Sequence, residues 1–120
     1  MSHAPGDTLR QRHRAIRAEL TTRGLDALVV TSLTNVLYLT NFTGSAAIVV
    51  LTAERLYFLT DFRYVTTMNE TRGTPHACPD LELVTVDGSY DEALGKLLAA
   101  LKLGRVAFEA AHRPLAGIRG

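Results

Sequence analysis

The fold is decided by the stretch NVLYLTNFTGSAAIVVLTAERLYFLTDFRY, which occupies residues 35–64. It holds two apolar runs of strand length, AAIVVL at residues 46–51 and LYFL at residues 56–59. Residues 52–55 between them have the length of a hairpin loop, so the stretch predicts two adjacent buried strands. Polar clusters flank the pair at residues 41–45 and 61–64. Because sheet proteins often place working side chains at the ends of strands, we expect any chemistry to lie there.

Size and composition indicate one globular domain covering all 120 residues, of which 47% are hydrophobic. The formal net charge of +1 provides no general field that would attract nucleic acid, so we expect no nucleic-acid partner. Cys78 is the single cysteine, which excludes an internal disulfide and fits a reducing compartment. The chain has no apolar N-terminal signal and no run approaching the roughly 20 apolar residues of a membrane span. We therefore expect a cytoplasmic protein without a membrane partner.

The residues before the hairpin predict a helix, a strand and a second, short helix. Asp7 is expected to N-cap the first helix, which has apolar residues at helical spacing and ends at Gly24. The aliphatic run LDALVV at residues 25–30 predicts a central strand buried on both faces. Thr31 or Ser32 can cap the short helix, which is expected to run through Tyr38.

The first helix carries a surplus of positive charge. This surplus predicts a solvated face, with a partner-binding face as the alternative, because a nucleic-acid site would normally add aromatic residues or a known motif. Its basic residues are Arg10, Arg12, Arg14, Arg17 and Arg23.

The residues after the hairpin predict two more helices and two more strands. Asp61 is placed to N-cap a helix running to about Glu70, and residues 71–80 form a loop rich in proline and glycine. LELVTV at residues 81–86 alternates like a half-buried strand. Ser89 and Glu92 form a capping box for a helix that Gly104 is expected to end. RVAFE at residues 105–109 predicts a last short strand, and residues 110–120 begin like a helix.

Together these elements predict an α/β fold with a mixed sheet of about five or six strands flanked by helices. Sequence signatures of stand-alone catalysis, such as HExxH, paired CxxC, a P-loop or GxSxG, are missing from the chain. The four histidines show no spacing that would bring two of them to one ion, and we expect them to be scattered over the surface. His76 and Cys78 could hold a soft metal, but two ligands in a loop do not close a site. The histidines are His3, His13, His76 and His112.

The combination NxxYLTxFTGS at residues 35–45, a hairpin, and TDxRY at residues 60–64 resembles the N-terminal domain of the creatinase, prolidase and aminopeptidase P family. The resemblance runs from the first helix to RVAFE. One departure is Asn41, where the family commonly has glycine. Asparagine tolerates a positive φ better than most residues, so the turn can survive. The fold implied is the family's N-terminal domain, with its ribonuclease H-like motif.

The resemblance also implies a function. In this family a C-terminal pita-bread domain carries two divalent metal ions (Mn, Co or Zn) that activate a water to attack the bond before proline. None of its ligands can be matched here, so no catalytic or metal-binding residue is assigned and the chain alone is expected to be inactive. The expected partners are the catalytic domain of the same parent protein, further copies in a homo-oligomer, and a proline-containing peptide substrate.

The resemblance places a substrate-facing loop, which closes over the active site of a neighbouring subunit, at residues 42–45. Phe42 is expected to offer an apolar face to the peptide, with a plain structural turn as the alternative. Arg63 is expected either to contact substrate or to pair with Asp61 or Glu70. The full set of candidate residues is Phe42, Thr43, Gly44, Ser45, Arg63 and Tyr64.

Several alternatives remain open at the level of the sequence. The resemblance implies that creatinase-like members hold a small carboxylate with a positive charge near this loop. Lys and Arg are missing between Asn35 and Glu54, so a peptide is favoured over creatine, whereas aminopeptidase and dipeptidase are not distinguished. A free-standing binding or dimerisation module without peptidase activity is the second hypothesis. A nucleotide-binding α/β protein is the third, although the turns after LDALVV and LYFL are not glycine-rich phosphate loops.

Overall fold

The computed structural model describes residues 4–71 and 73–109. The elements in these residues occur in the predicted order of helices and strands, which confirms the α/β class. The expected helix start at residues 110–120 lies outside the described residues. The elements are α1 (Gly6–Arg23), β1 (Ala27–Val30), α2 (Leu33–Thr40), β2 (Ile48–Thr52), β3 (Leu56–Asp61), α3 (Phe62–Glu70), β4 (Leu81–Val86), α4 (Tyr90–Leu101) and β5 (Val106–Phe108).

The described strands form one mixed sheet in the order β4-β3-β2-β1-β5. β2 is antiparallel to both of its neighbours, whereas β1 pairs with β5, and β3 with β4, in parallel. β2 therefore runs against the other four strands. The carboxyl ends of β1, β3, β4 and β5 meet the start of β2 at one edge of the sheet, which we call the loop edge.

The hairpin forms as predicted, with boundaries shifted by one or two residues. β2 begins at Ile48, so Ala46 and Ala47 belong to the loop before it, and β3 continues to Asp61. The register pairs Ile48 with Leu59. β1 lies inside the sheet between β2 and β5, and all four of its residues are buried, as LDALVV predicted.

Each face of the sheet has its own hydrophobic cluster because alternate strand residues point to opposite faces. Helices α1, α2 and α3 cover one face, where Leu9, Val36 and Met68 pack on strand residues that include Phe58. Helix α4 covers the other face through Leu94 and its half-buried neighbours. The loop edge thus lies between two packed layers.

The ends of α1 and α2 differ in detail from the prediction. Pro5 occupies the N-cap of α1, and Asp7 lies in the first turn, so the predicted capping role of Asp7 is wrong. Its carboxylate still lies at the positive end of the helix dipole. Gly24 ends α1 in the left-handed region, at φ 67°, as predicted. α2 continues past Tyr38 to Thr40.

Helix α4 begins as predicted and ends earlier than predicted. The Ser89 side chain accepts a hydrogen bond from the Glu92 N–H at 3.3 Å, which confirms the N-cap. The helix ends at Leu101, where Lys102 takes a left-handed conformation at φ 54°, so Gly104 does not end it. The Gly104 N–H instead donates to the Asp26 carboxylate at 2.9 Å.

Two of the arginines on α1 form tertiary contacts instead of a solvated face. Arg12 donates to the Tyr38 carbonyl at 2.8 Å, and its guanidinium lies 4.2 Å from the centre of the Tyr38 ring. Arg17 Nε donates to the Thr52 carbonyl at 2.7 Å. The expectation of a solvated face is therefore wrong for Arg12 and Arg17, which fasten α1 to α2 and β2.

Candidate functional site

All six candidate residues lie at the loop edge of the sheet. Phe42, Thr43, Gly44 and Ser45 belong to the segment between α2 and β2, and the other two begin α3 directly after β3. The antiparallel direction of β2 brings these segments together, because the start of β2 lies beside the end of β3. The topology thus joins two motifs that are about 20 residues apart in the chain.

Phe42 is a core residue, with only 5% of its surface exposed. Its ring meets the Phe58 ring edge to face, with centres 5.0 Å apart, and the Tyr64 ring in the same way at 5.1 Å. The cause is the turn at Asn41, whose left-handed conformation at φ 68° reverses the chain after α2. The expectation of an exposed Phe42 side chain is therefore wrong.

Gly44 is enclosed by the aromatic rings of the same cluster. A Cβ atom at this position would lie 2.2 Å from Phe42 Cζ and 2.8 Å from Tyr64 Cε1, both well inside contact distance. Its φ is not positive, so packing and not backbone conformation requires glycine here. The loop backbone is consequently pressed against two rings and held close to α3.

Ser45 and Tyr64 form a hydrogen-bonded pair at the surface. The Ser45 Oγ lies 2.6 Å from the Tyr64 hydroxyl, which also accepts from the Ser45 N–H at 3.2 Å. These hydrogen bonds from Ser45 lower the pKa of Tyr64 below its usual 10.0. Thr43 and Ser45 are exposed, so their hydroxyl groups and the intervening backbone can reach a ligand.

Arg63 forms a bidentate ion pair with Asp61. Arg63 Nε and Nη2 donate to the two carboxylate oxygens at 2.8 and 2.9 Å, and the Asp61 side chain caps α3 by accepting from the Arg63 N–H. The bonds from Arg63 hold the pKa of Asp61 well below its usual range. The predicted N-cap role of Asp61 and the predicted pairing with Arg63 are both confirmed.

Tyr90 belongs to this network, and sequence reasoning did not find it. Its hydroxyl donates to Asp61 Oδ2 at 2.7 Å and accepts from the Asp61 N–H at 3.0 Å. The two residues are 29 positions apart, and no motif connects the start of α4 with the end of β3. Burial, followed by the hydrogen bond to Asp61, raises the pKa of Tyr90, so the hydroxyl remains a donor at neutral pH.

A cleft of about 350 Å³ opens beside this cluster. Phe42, Gly44 and Tyr64 line one part of it, while Thr67 and Met68 of α3 line another. The mixture of aromatic, thioether and hydroxyl groups suits a small ligand or a peptide segment with both apolar and hydrogen-bonding parts. The cleft places most of the predicted loop against a single concave surface.

Comparison with known proteins identifies the family. The profile of the Creatinase/Prolidase N-terminal domain matches residues 12–119. The chain belongs to this family. An uncharacterized peptidase of Bacillus subtilis (strain 168), YqhT, is 33% identical over 86 residues, which are 72% of this chain and 23% of that protein. The creatinase/prolidase domain therefore spans about a quarter of the length of this relative.

Solved structures agree with this assignment. An Xaa-Pro dipeptidase from Bacillus anthracis superposes with a TM-score of 0.74 at 25% identity, covering 90% of this chain and 29% of that chain. The N-terminal domain of a candidate metallopeptidase from Corynebacterium diphtheriae gives 0.68 at 31% identity, with 93% and 89% covered. The N-terminal domain of the cytoplasmic peptidase PepQ from Mycobacterium tuberculosis H37Rv gives 0.70 at 28% identity, with 89% and 78% covered.

The described part of this creatinase/prolidase domain offers no place for the metals that the family resemblance implies. Across residues 4–71 and 73–109, no three His, Cys, Asp or Glu side chains are grouped to hold an ion. Cys78 is buried, and burial raises its thiol pKa to about 12. His76 is exposed and hydrogen-bonds through Nδ1 with the Ala4 carbonyl at 3.1 Å, so the geometry does not support a site made of these two residues.

No helix among the described residues is both long and apolar enough to cross a bilayer.

His13 lies inside the domain and not on its surface, so its predicted placement is wrong. It is fully buried on the inner face of α1, and its Nε2–H donates to the Leu39 carbonyl at 2.7 Å. Burial lowers its pKa from 6.5 to about 4. The imidazole is therefore neutral at physiological pH and forms part of the contact between α1 and α2.

The N-terminus of α2 is capped by Glu109, a residue to which sequence reasoning gave no role. Ser32 occupies the predicted N-cap position, but its own side chain makes no capping bond. The Glu109 carboxylate instead accepts from the N–H groups of Thr31 and Ser32, and from Asn35 Nδ2 at 2.6 Å. This carboxylate occupies the place where a nucleotide phosphate would bind to a helix N-terminus, which argues against the nucleotide-binding hypothesis.

Proposed function

We propose that this chain is the non-catalytic N-terminal domain of a metal-dependent Xaa-Pro peptidase of the aminopeptidase P or prolidase type. The observation that carries the proposal is the profile match to an N-terminal domain over residues 12–119, in a chain that covers 29% of an Xaa-Pro dipeptidase. A C-terminal catalytic domain of the same protein would bind the two divalent metal ions (Mn, Co or Zn). The cytoplasm is the proposed location, supported by the single thiol and by the relative PepQ, which is termed cytoplasmic.

In this proposal the domain supports a homo-oligomer, and its loop of residues 42–45 walls the active site of a neighbouring subunit. The exposed hydroxyls of Thr43 and Ser45 supply hydrogen bonds to a proline-containing peptide, while Gly44 lets the backbone between them pack against the Phe42 and Tyr64 rings. Phe42, being buried, supports the loop from beneath. The exposed groups of the loop therefore rest on a packed aromatic layer.

The charge of Arg63 fits a peptide better than a small anion. Its side chain is 55% exposed at the loop edge, but Asp61 balances its charge through two hydrogen bonds. A guanidinium whose Nε and Nη2 donors already bind one carboxylate binds a second, free carboxylate only weakly. Arg63 and Tyr64 thus complete the rim of the site and leave most of the binding to the backbone and hydroxyl groups.

The first test separates this proposal from a free-standing module. The gene is read beyond the codon for Gly120, and the 120-residue chain and the full reading frame are purified. We expect the chain alone to hydrolyse no Xaa-Pro peptide with Mn²⁺, Co²⁺ or Zn²⁺, and the full protein to do so in a chelator-sensitive manner. Chelator-sensitive turnover by the chain alone, or a reading frame that stops without metal ligands, would overturn the proposal. The second result would favour the free-standing module.

The second test asks whether the loop acts across subunits. One subunit type carries Thr43→Pro and Ser45→Pro, which disrupt the loop, and the other carries an inactivating substitution of a metal ligand in its catalytic half. Each type alone should be inactive or slow, whereas mixed oligomers should recover activity because an intact loop then faces an intact metal site. A mixture no more active than the sum of its parts would show that the loop does not act in trans.

A further inference from the structure

A continuous series of contacts joins Tyr90, at the start of α4, to Ser45 in the loop before β2. The Tyr90 hydroxyl donates to Asp61 at 2.7 Å, and Asp61 accepts from the Arg63 guanidinium at 2.8 and 2.9 Å. That guanidinium lies 5.0 Å from the centre of the Tyr64 ring. The Tyr64 hydroxyl lies 2.6 Å from Ser45 Oγ. Every contact in the series is direct.

Asp61 is the fixed point of this series because its carboxylate is fully engaged. Oδ1 accepts from the backbone N–H and from Nε of Arg63, and Oδ2 accepts from Arg63 Nη2 and the Tyr90 hydroxyl. The Asp61 side chain is only 16% exposed. Hydrogen bonds to an ionised and largely shielded carboxylate are stronger than neutral ones. Tyr90 also accepts from the Asp61 N–H, so it holds both the side chain and the backbone of this residue.

The series passes from one face of the sheet to the other around the loop edge. Tyr90 packs in the cluster beneath α4. Phe42 and Tyr64 pack in the opposite cluster beneath α1, α2 and α3. The sheet itself separates the two clusters, so the end of β3, at Asp61, is where these polar contacts connect them. A residue on the far face of the sheet can therefore influence the loop.

The geometry points to Tyr90 as a positioning residue that fixes the Ser45 and Tyr64 hydroxyls through Asp61 and Arg63. This inference rests on the proposed function, in which the loop of residues 42–45 faces a peptide. Tyr90 itself touches no substrate. It sets the orientation of Arg63, whose guanidinium lies over the Tyr64 ring, and the Tyr64 hydroxyl in turn holds the amide and hydroxyl of Ser45.

The test uses Tyr90→Phe in the 120-residue chain, which removes one oxygen atom and keeps the ring. Tyr57→Phe is the matched control, since Tyr57 is a half-buried tyrosine in the same cluster beneath α4. NMR measures two signals away from the substituted ring: exchange of the Arg63 Nε–H proton with solvent, and the pKa of Tyr64. In Tyr90→Phe the Arg63 Nε–H still faces Asp61 Oδ1, but the carboxylate loses the hydroxyl that orients it. We therefore expect this exchange to become about tenfold faster. We also expect the Tyr64 pKa to rise toward 10.0.

A merely structural role for Tyr90 would give a different pattern. Tyr90→Phe would then lower the thermal midpoint and leave the Arg63 exchange rate and the Tyr64 pKa as in the wild type, and that result would overturn the inference. Asp61→Asn provides a second route, because it weakens the same connection while keeping the side-chain shape. It should change the same two signals, and a wild-type response would again count against the inference.

Kinetics of the full-length peptidase separate this inference from the proposed function. We expect Tyr90→Phe to raise KM for an Xaa-Pro peptide about three- to tenfold, because the Ser45 and Tyr64 hydroxyls that bind the peptide are then less well positioned. The kcat and the metal content should stay within about twofold of the wild-type values. If Ser45→Ala leaves KM unchanged, the proposed substrate-binding role of the Ser45 hydroxyl fails, whatever the NMR signals show. If Ser45→Ala raises KM while Tyr90→Phe does not, that substrate-binding role stands and the positioning role of Tyr90 is refuted.

Discussion

Replacing Phe42 with alanine should destabilise the domain strongly. The ring is 95% buried and contacts the Phe58 and Tyr64 rings edge to face. A buried aromatic side chain removes about 150 to 250 Å² from water, or about 4 to 6 kcal/mol at 25 cal/mol per Å². Alanine retains the Cβ part of this burial but leaves a cavity, so we expect a loss of about 3 to 5 kcal/mol in the free energy of unfolding.

The assay is urea unfolding of the 120-residue chain, supported by a thermal melt. For a domain of this size, a loss of 3 to 5 kcal/mol corresponds to a fall of roughly 12 to 20 °C in Tm. Phe62→Ala is the matched control, because Phe62 stands at the start of α3 with 78% of its surface exposed. We expect it to change the free energy of unfolding by no more than about 0.5 kcal/mol.

The comparison of the two variants decides the role of Phe42. A loss below about 1 kcal/mol for Phe42→Ala, or a loss equal to that of Phe62→Ala, would refute the core assignment. In the proposed full-length peptidase, activity per folded molecule provides the second measurement. Retained activity of the folded fraction would limit Phe42 to a role in folding, whereas a selective rise in KM would show that the ring also holds the loop in its binding position.

Three further predictions concern buried or capping positions. The pKa of His13 is 6.5 when unfolded and about 4 when folded, so unfolding binds a proton between these values. The free energy of unfolding is therefore unaffected above about pH 6.5 and falls by about 3 kcal/mol as the pH drops from there to about 4. Urea titrations of His13→Gln at the same pH values should lack this loss. Gly44→Ala forces a Cβ atom into the Phe42 ring and should lower the free energy of unfolding by about 1 to 3 kcal/mol. Gly88→Ala is the neutral control, because a Cβ atom there would meet nothing within 4 Å. Equal melting temperatures for the two variants would contradict the packing argument. Glu109→Ala should cost about 1 to 2 kcal/mol through loss of the α2 cap, and an unchanged urea midpoint would contradict it.

Elements and local caps were predictable because their causes lie close together in the chain. The β-branched runs of β2 and β3 and the start of α3 at Asp61 depend on neighbours within a few residues. The pairing of Asp61 with Arg63 spans two positions. Such features follow from propensity, periodicity and capping chemistry, which a single sequence displays directly.

Burial and long-range contacts were not predictable in the same way. His13 is buried because α1 packs on Leu39, 26 positions away. The cap of α2 comes from Glu109, 78 positions beyond Thr31. Phe42 lies in a polar segment whose composition predicts exposure, and the turn at Asn41 directs its ring into the core. For Glu109 and Phe42, tertiary packing decides the environment of the side chain and leaves no periodic signature in the chain. His13 did have such a signal, because it lies between Leu9 and Ile16 at helical spacing on the buried face of α1.

The reversed direction of β2 makes the domain a convenient frame for engineering. The turn that joins β2 to β3, residues 53–55, is exposed and leaves the sheet at the edge opposite the loop edge. Five residues of strand, about 17 Å, separate it from the segment before Ile48. A fluorophore or an affinity tag can be placed in this turn, far from residues 42–45 and from the start of α3. The same strand that assembles the site thus leaves a second position free for modification.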